Sequence, residues 1–305
     1  MESIDHPPEG LDTLRDIVRY AASRFNEAGL VFGHGTDNAI DEAAALALHV
    51  LRLPADLPDL YWGARLTQGE REAVMARVRR RIRERLPLPY ITHETWFAGL
   101  PFYVDQRVLV PRSPLAEPIR QGFQPWLDPD EVNRVLDLGT GSGCIAIACA
   151  YAFPEAQVDA VDNDPQALEV AGINVHRHDL DERVALIQAD VFDGVPQERY
   201  SLIISNPPYV DAAAMAALPA EYRHEPGAAL AAGEDGLDVV RRILRDAPRY
   251  LADDGLLVVE VGDSDDAVAE AFGHLPLTWL EFEQGGYGVF VVRAADLRAA
   301  AGSGL

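Results

Sequence analysis

The chain contains no lysine: its 26 basic residues are all arginine, set against 49 acidic ones, for a formal net charge of −23. Such a deficit of positive charge repels polyanions at long range. It argues against an enzyme that binds nucleic acid unaided and favours a basic protein partner. Cysteine is scarce as well. Cys144 and Cys149 share one apolar stretch and have neither metal-ligand spacing nor a disulfide framework, so both are expected as buried free thiols. No apolar run reaches membrane-spanning length, and the chain opens on acidic and polar residues rather than on a charged start followed by an apolar stretch. A soluble cytoplasmic protein is the expectation.

Helical periodicity dominates the first third. Leu11, Leu14, Val18, Ala21 and Phe25 share one face, and Ile40, Ala44, Leu48 and Leu51 another. A third helix carries Val74, Val78 and Ile82 at helical spacing, opens on a Thr67/Glu70 capping box, and crowds Arg77, Arg79, Arg80, Arg81, Arg83 and Arg85 together. That cluster reads as a solvated face neutralised by acids from elsewhere. From Trp96 to Val110 aromatic and polar residues alternate around Gly99 and Pro101, as in a β-hairpin. After Asn133 strands and helices alternate, ending in Leu256–Val261, Leu277–Phe282 and Val289–Val292, which predicts an α/β doubly wound sheet. The expected division is a helical domain over 1–95, a hairpin connection over 96–114, a sheet domain over 115–298 and a disordered tail over 299–305.

The chemistry concentrates at strand ends. Asn206-Pro207-Pro208-Tyr209 follows the apolar Leu202-Ile203-Ile204, and the carboxyl edge of such a sheet is where ligands bind. Both prolines lack an N–H, and each restricts the residue before it to extended conformations. The stretch therefore offers acceptors and almost no donors. The Asn206 side-chain oxygen and the Pro207 carbonyl suit the two hydrogens of a planar NH2, with the Tyr209 ring against its flat face. Taken alone, these four residues serve equally as a strand terminator. Upstream, Val135-Leu136-Asp137-Leu138-Gly139-Thr140-Gly141-Ser142-Gly143 reads as strand, glycine turn and helix start. Cys144 breaks the G-x-G-x-x-G pattern, which disfavours a pyrophosphate cradle. Asp162, followed by Asn163, ends a second strand at the right distance to accept from ribose hydroxyls. A third strand leads to Asp190-Val191-Phe192, an acceptor and an apolar wall for adenine. A nucleoside cofactor without pyrophosphate, beside a site for NH2, suggests S-adenosylmethionine.

These segments together resemble a class I S-adenosylmethionine-dependent methyltransferase acting on amide or amino nitrogen. More narrowly, the chain is similar to the bacterial N5-glutamine protein methyltransferases from about residue 11 to 293. The likeness includes Pro89-Tyr90-Ile91, Phe102-Tyr103-Val104, His224-Glu225-Pro226 and Gly233-Glu234-Asp235-Gly236-Leu237. Val110-Pro111-Arg112-Ser113-Pro114-Leu115-Ala116-Glu117 and Gly286-Tyr287-Gly288-Val289-Phe290 resemble the branch that modifies large-subunit ribosomal protein three, rather than the release-factor branch. The resemblance implies an antiparallel edge on the sheet. It also implies S-adenosylmethionine as cofactor, and that ribosomal protein, alone or within a ribosomal precursor, as substrate partner, with neither membrane nor DNA.

The expected catalytic residues are Asn206, Pro207 and Tyr209. Cofactor contacts are expected from Asp137, Gly139, Thr140, Gly141, Gly143, Asp162, Asn163, Asp190, Val191, Phe192 and Asn206, and substrate contacts from Asn206, Pro207, Pro208, Tyr209, Arg112 and His224. Several positions keep two readings. Asp137 faces the cationic cofactor or holds the glycine loop through its N–H groups. Arg112 holds the substrate loop or pairs with Glu117. His224 lines the substrate entrance or caps a turn. The arginine cluster touches ribosomal RNA or an acidic patch of an assembling substrate if it is not simply solvated. His176 and His178 have no third ligand at fixed spacing, so no metal is expected. Release-factor methylation, amino methylation of DNA bases and a non-catalytic assembly role stand as the alternatives.

Overall fold

The computed structural model describes residues 10–283 and 285–301. It divides into two units, the first running to Thr95 and taking in Pro219–His224, the second formed by Trp96–Leu218 and the chain from Glu225 onward.

The first unit is helical, with α1 (Leu14–Glu27), α2 (Ala39–Leu51), α3 (Gln68–Glu84) and the short α4 (Leu88–Thr92). Capping boxes start two of them. The Thr13 hydroxyl accepts from the Asp16 N–H while the Asp16 carboxylate accepts from the Thr13 N–H, and Thr67 and Glu70 repeat the exchange at α3. The α1 face is the one its periodicity predicts, with Leu14, Val18, Ala21 and Phe25 buried. The α2 face is so only in part: Leu48 is buried and Ala44 and Leu51 pack partly buried against the core, but Ile40 is 64% exposed, and the rest of the buried side is Ala39, Ala43, Leu46 and Ala47 with Glu42. Alanine on several sides of this helix leaves the apolar pattern without a direction, so packing against α1 chooses.

The second unit opens with a hairpin, β1 (Thr95–Phe97) and β2 (Leu100–Phe102). Ala98 and Gly99 between them both have positive φ, 51° and 84°, as a two-residue type I′ turn requires. The hairpin stops at Phe102, short of the expected Val110, and irregular chain leads to α5 (Ala116–Arg120). Then follow β3 (Arg134–Leu138), α6 (Cys144–Ala152), β4 (Gln157–Asp162), α7 (Pro165–Arg177), β5 (Val184–Gln188), β6 (Tyr200–Ser205), α8 (Ala212–Ala217), α9 (Asp238–Asp246), β7 (Leu251–Glu260), α10 (Asp265–Ala271), β8 (Thr278–Trp279), β9 (Val289–Arg293) and α11 (Ala294–Ala301).

The seven-stranded sheet has the order β5-β4-β3-β6-β7-β9-β8. Strands β3 to β7 are parallel, and β9 and β8 are antiparallel additions. Alternate residues serve opposite cores: Val135, Leu202, Ile204 and Val258 face one, and Leu136, Ile203, Leu257 and Val259 the other. Burial on both faces is why these strands read as unbroken apolar runs. β8 is shorter than Leu277–Phe282. Leu280 and Phe282 are partly buried against the core instead of extending the ladder. Residues 299–301, assigned to a disordered tail on composition, continue α11, and 302–305 lie outside the described residues. Among the described residues no helix is long and apolar enough to cross a membrane.

Chain order reverses between β3 and β6, whose ends lie side by side with Leu138 opposite Ser205. A doubly wound sheet opens a crevice at such a reversal. The Ser205 hydroxyl donates to the Leu138 carbonyl at 2.7 Å and ties the two ends together.

Candidate active site

After β3 the turn into α6 is made by Gly139, Gly141 and Gly143, whose φ values of 74°, 54° and 79° exclude most side chains. The last two do different work. A Cβ on Gly143 would lie 3.3 Å from that of Ala171 on α7, so this glycine lets the two helices close and does not line the crevice. A Cβ on Gly141 would meet no described atom within 4 Å, and the space before it belongs to a cleft of about 440 Å³.

That cleft gathers most of the expected residues: Gly139, Thr140 and Gly141 after β3, Asp162 and Asn163 after β4, Asp190 and Val191 after β5, and Asn206, Pro207 and Pro208 after β6. Arg112 joins them from the irregular chain before α5. The Asp162 carboxylate accepts from the Gly141 N–H at 2.8 Å through Oδ2 and from the Asp164 N–H at 3.0 Å through Oδ1. Each oxygen keeps a lone pair for a ligand hydroxyl. Burial pushes this carboxyl above its usual range. Val191 has φ of 56°, an outlier for a β-branched residue and the kind of strain that functional loops retain.

Other expected residues sit elsewhere. Asp137 is fully buried beneath the turn, where its Oδ2 accepts from the Thr140 hydroxyl at 2.6 Å and the Ala146 N–H at 3.1 Å. It is the holder of the glycine loop, and burial pushes its carboxyl up to about 7. Phe192 turns inward and stacks on Tyr250 at 4.6 Å between ring centres, which leaves Val191 as the apolar wall. The Asp190 carboxylate is met by the Arg242 guanidinium at 2.9 Å. Arg242, on α9, also lines the cleft, and nothing in its local sequence signals that.

Arg112 pairs with Glu225. Its guanidinium forks onto both carboxylate oxygens at 2.6 and 2.9 Å, while the Val110 N–H donates to the same Glu225 at 3.0 Å. Its cleft-lining position is therefore set by a bidentate pair. His224 belongs to the helical unit, where a ring nitrogen meets the Glu84 carbonyl at 2.9 Å, and it does not line the cleft. Tyr209 is not among the residues that line the cleft. Its hydroxyl donates to Glu260 at 3.4 Å, and burial pushes the phenol up. Sequence reasoning took Glu225 only as part of His224-Glu225-Pro226, without its partner Arg112, and missed Glu260. The one available signal was an acid closing the apolar run Leu256-Leu257-Val258-Val259, an unusual residue for that place.

Cys144 and Cys149 are buried free thiols, the first pushed up to about 12 by burial. His178 meets Tyr151 and the Pro101 carbonyl with its two ring nitrogens.

A family model described as the methyltransferase small domain matches residues 123–221. The chain is 52% identical over 303 residues to the ribosomal protein uL3 glutamine methyltransferase of Burkholderia pseudomallei (strain K96243), covering 97% of this chain and 99% of that one. It is 51% identical over 288 residues to the protein of the same name from Neisseria gonorrhoeae, covering 94% and 96%. Its likeness to the protein of that name from Neisseria meningitidis serogroup B is also 51%, covering 94% and 95%.

Proposed function

Since the chain belongs to the family of ribosomal protein uL3 glutamine methyltransferases, we propose that it transfers a methyl group to the side-chain amide nitrogen of a glutamine in uL3. Its cofactor is S-adenosylmethionine.

The residues present fit that cofactor. Open space before Gly141 admits a ligand close to backbone, Asp162 holds two spare lone pairs beside it, and Val191 supplies an apolar wall. Asp162 would take the ribose hydroxyls. When bound, the cofactor supplies an electrophilic methyl carbon on a positively charged sulfur.

An amide nitrogen is a weak nucleophile because its lone pair is delocalised into the carbonyl. The chain's answer is the donor-poor corner after β6. Asn206, Pro207 and Pro208 line the same cleft as the glycine turn, and among the described residues none donates to the Asn206 side-chain oxygen or the Pro207 carbonyl. This is the observation that carries the proposal. With one amide hydrogen on each oxygen, the nitrogen is fixed, and both oxygens favour the positive charge that builds on it during transfer. Orientation of this kind supplies several of the roughly 7–11 kcal/mol available from holding reactants in line. The proton leaves after transfer, when the alkylated amide is strongly acidic, so the step needs no strong base.

The test is Asn206→Ala. We expect methyl transfer to uL3 to fall by about 10²–10³-fold, the scale of losing one preorganised polar group, while calorimetry shows cofactor affinity within a few-fold of the unaltered protein. Mass spectrometry of uL3, supplied free and within ribosomal precursors, locates the modified glutamine. Label entering only release factors would assign the chain to the sister activity.

A further inference from the structure

Methyl transfer as derived above makes no use of Glu260, the carboxylate closest to Tyr209. Glu260 ends β7, and the register that sets Ser205 opposite Val259 brings it to the level where Asn206 begins. It is only 4% exposed. A carboxyl so buried costs several kcal/mol unless donors compensate. Two do: the Ser113 hydroxyl donates to one oxygen, and the Tyr209 hydroxyl reaches the other at 3.4 Å. Ser113 is itself held, its hydroxyl oxygen accepting from the Leu115 N–H at 3.1 Å. Arg112 is the cation that faces the carboxyl, its fork already on Glu225. Burial leaves Glu260 pushed up to about 7.

Tyr209 is gripped from its other sides as well. A Cβ on Gly262 would come within 2.6 Å of its ring, so that glycine lets the ring lie directly on backbone. Gly288 packs against the far side of Gly262, and the Ser264 hydroxyl donates to the Tyr209 carbonyl at 2.8 Å. A side chain needed only to fill space would not require a buried acid on its polar end.

We propose that Glu260, seated by Ser113, is a positioning residue for methyl transfer: it holds the Tyr209 hydroxyl and so fixes the end of the segment whose Asn206, Pro207 and Pro208 line the cleft. This rests on the reading that Asn206 to Tyr209 receive an amide. An acid that merely braced the fold would change stability without changing how Tyr209 acts in turnover.

Turnover of uL3 by Tyr209→Phe, Glu260→Gln and the double variant, with cofactor affinity by calorimetry, tests it. Each single variant is expected to lower kcat about tenfold, within the range that a small misplacement costs, with cofactor affinity unchanged within about twofold. The double variant is expected to be no slower than either single one, because both remove the same constraint. An acid-side decline in kcat near pH 7, where the Tyr209 hydroxyl loses its ionised acceptor, is expected to vanish in Glu260→Gln. Effects that multiply in the double variant, or kcat within twofold in Glu260→Gln, would overturn the proposal. If Glu260→Gln does not fold, Ser113→Ala replaces it in the same cycle with Tyr209→Phe. Asn206→Ala separates the two levels: if it abolishes turnover while the cycle shows no coupling, the amide reading stands and the positioning role alone fails.

Discussion

At Gly141 a single hydrogen in place of a side chain separates an open cleft from a filled turn. Gly141→Ala would place a methyl in open space at φ of 54°, so its cost is backbone strain of about 1–2 kcal/mol together with a blocked cleft. The expected result is a loss of cofactor affinity of tenfold or more by calorimetry, beside a fall of only a few degrees in Tm. A variant that binds as before would place the cofactor elsewhere. Asp137 and Glu260 make a second prediction. Both carboxyls are pushed up to about 7 in the fold, against ordinary values of 3.8 and 4.5. The folded state therefore keeps protons that the unfolded chain gives up between about pH 4 and 7. The stability this contributes is present in full below that window and is lost as pH rises through 7. Tm of the cofactor-free protein should fall between pH 5 and 8, and Asp137→Asn, which keeps an acceptor for Thr140, should make the fall shallower. An unchanged slope in thermal denaturation would refute this cause. The positions of the strand-end residues along the cleft were legible because each is marked by what it lacks: a Cβ at Gly141, an N–H at Pro207. Arg242, Glu225 and Glu260 were not, because their partners lie 52, 113 and 51 residues away in the chain.

At the scale of the element, α3 shows how a correct helix can still hide its function. Its capping box, its start and its apolar positions Val74 and Val78 were all readable. Arg81 was not read as core, although it sits three residues after Val78 and seven after Val74 on the same stripe. It is fully buried, its guanidinium 2.6 Å from Glu42 of α2 and 3.6 Å from Glu221, and it also donates to the Val31 carbonyl at 3.0 Å. Arg85 reaches Glu221 at 3.1 Å. The expected solvated face thus describes exposed Arg77, Arg80 and Arg83, while Arg81 belongs to a buried charge cluster that fastens Pro219–His224 into the helical unit. Sequence periodicity cannot find a partner 140 residues distant. Removing one member strands the others: Glu42→Ala should cost about 3–5 kcal/mol in urea unfolding. Arg80→Ala, whose partner Glu84 is exposed, should change it by less than about 0.5 kcal/mol. Equal effects would show that the cluster is not the anchor of this unit.

Over the whole molecule the dominant quantity is charge. A net charge of −23 creates a field felt well beyond contact distance, and several arginines that would oppose it are spent on internal acids: Arg81 and Arg85 on Glu221, Arg112 on Glu225, Arg242 on Asp190. A substrate protein that itself binds RNA is basic, so the field would steer it toward this chain and repel polyanions. Steering acts on encounter, not on the chemical step. The expected outcome is that kcat/KM for uL3 falls severalfold between about 50 and 300 mM salt, where the screening length shrinks below 10 Å, while kcat stays constant. Cofactor affinity should change little over the same range, because the proposed binding site is the cleft beside Asp162 and not the outer surface. Duplex DNA should neither accept methyl groups nor compete. Strong inhibition by RNA that disappears in Arg77→Gln/Arg83→Gln would instead assign the exposed side of α3 to nucleic acid, and would mean that local charge on one helix outweighs the field of the whole protein.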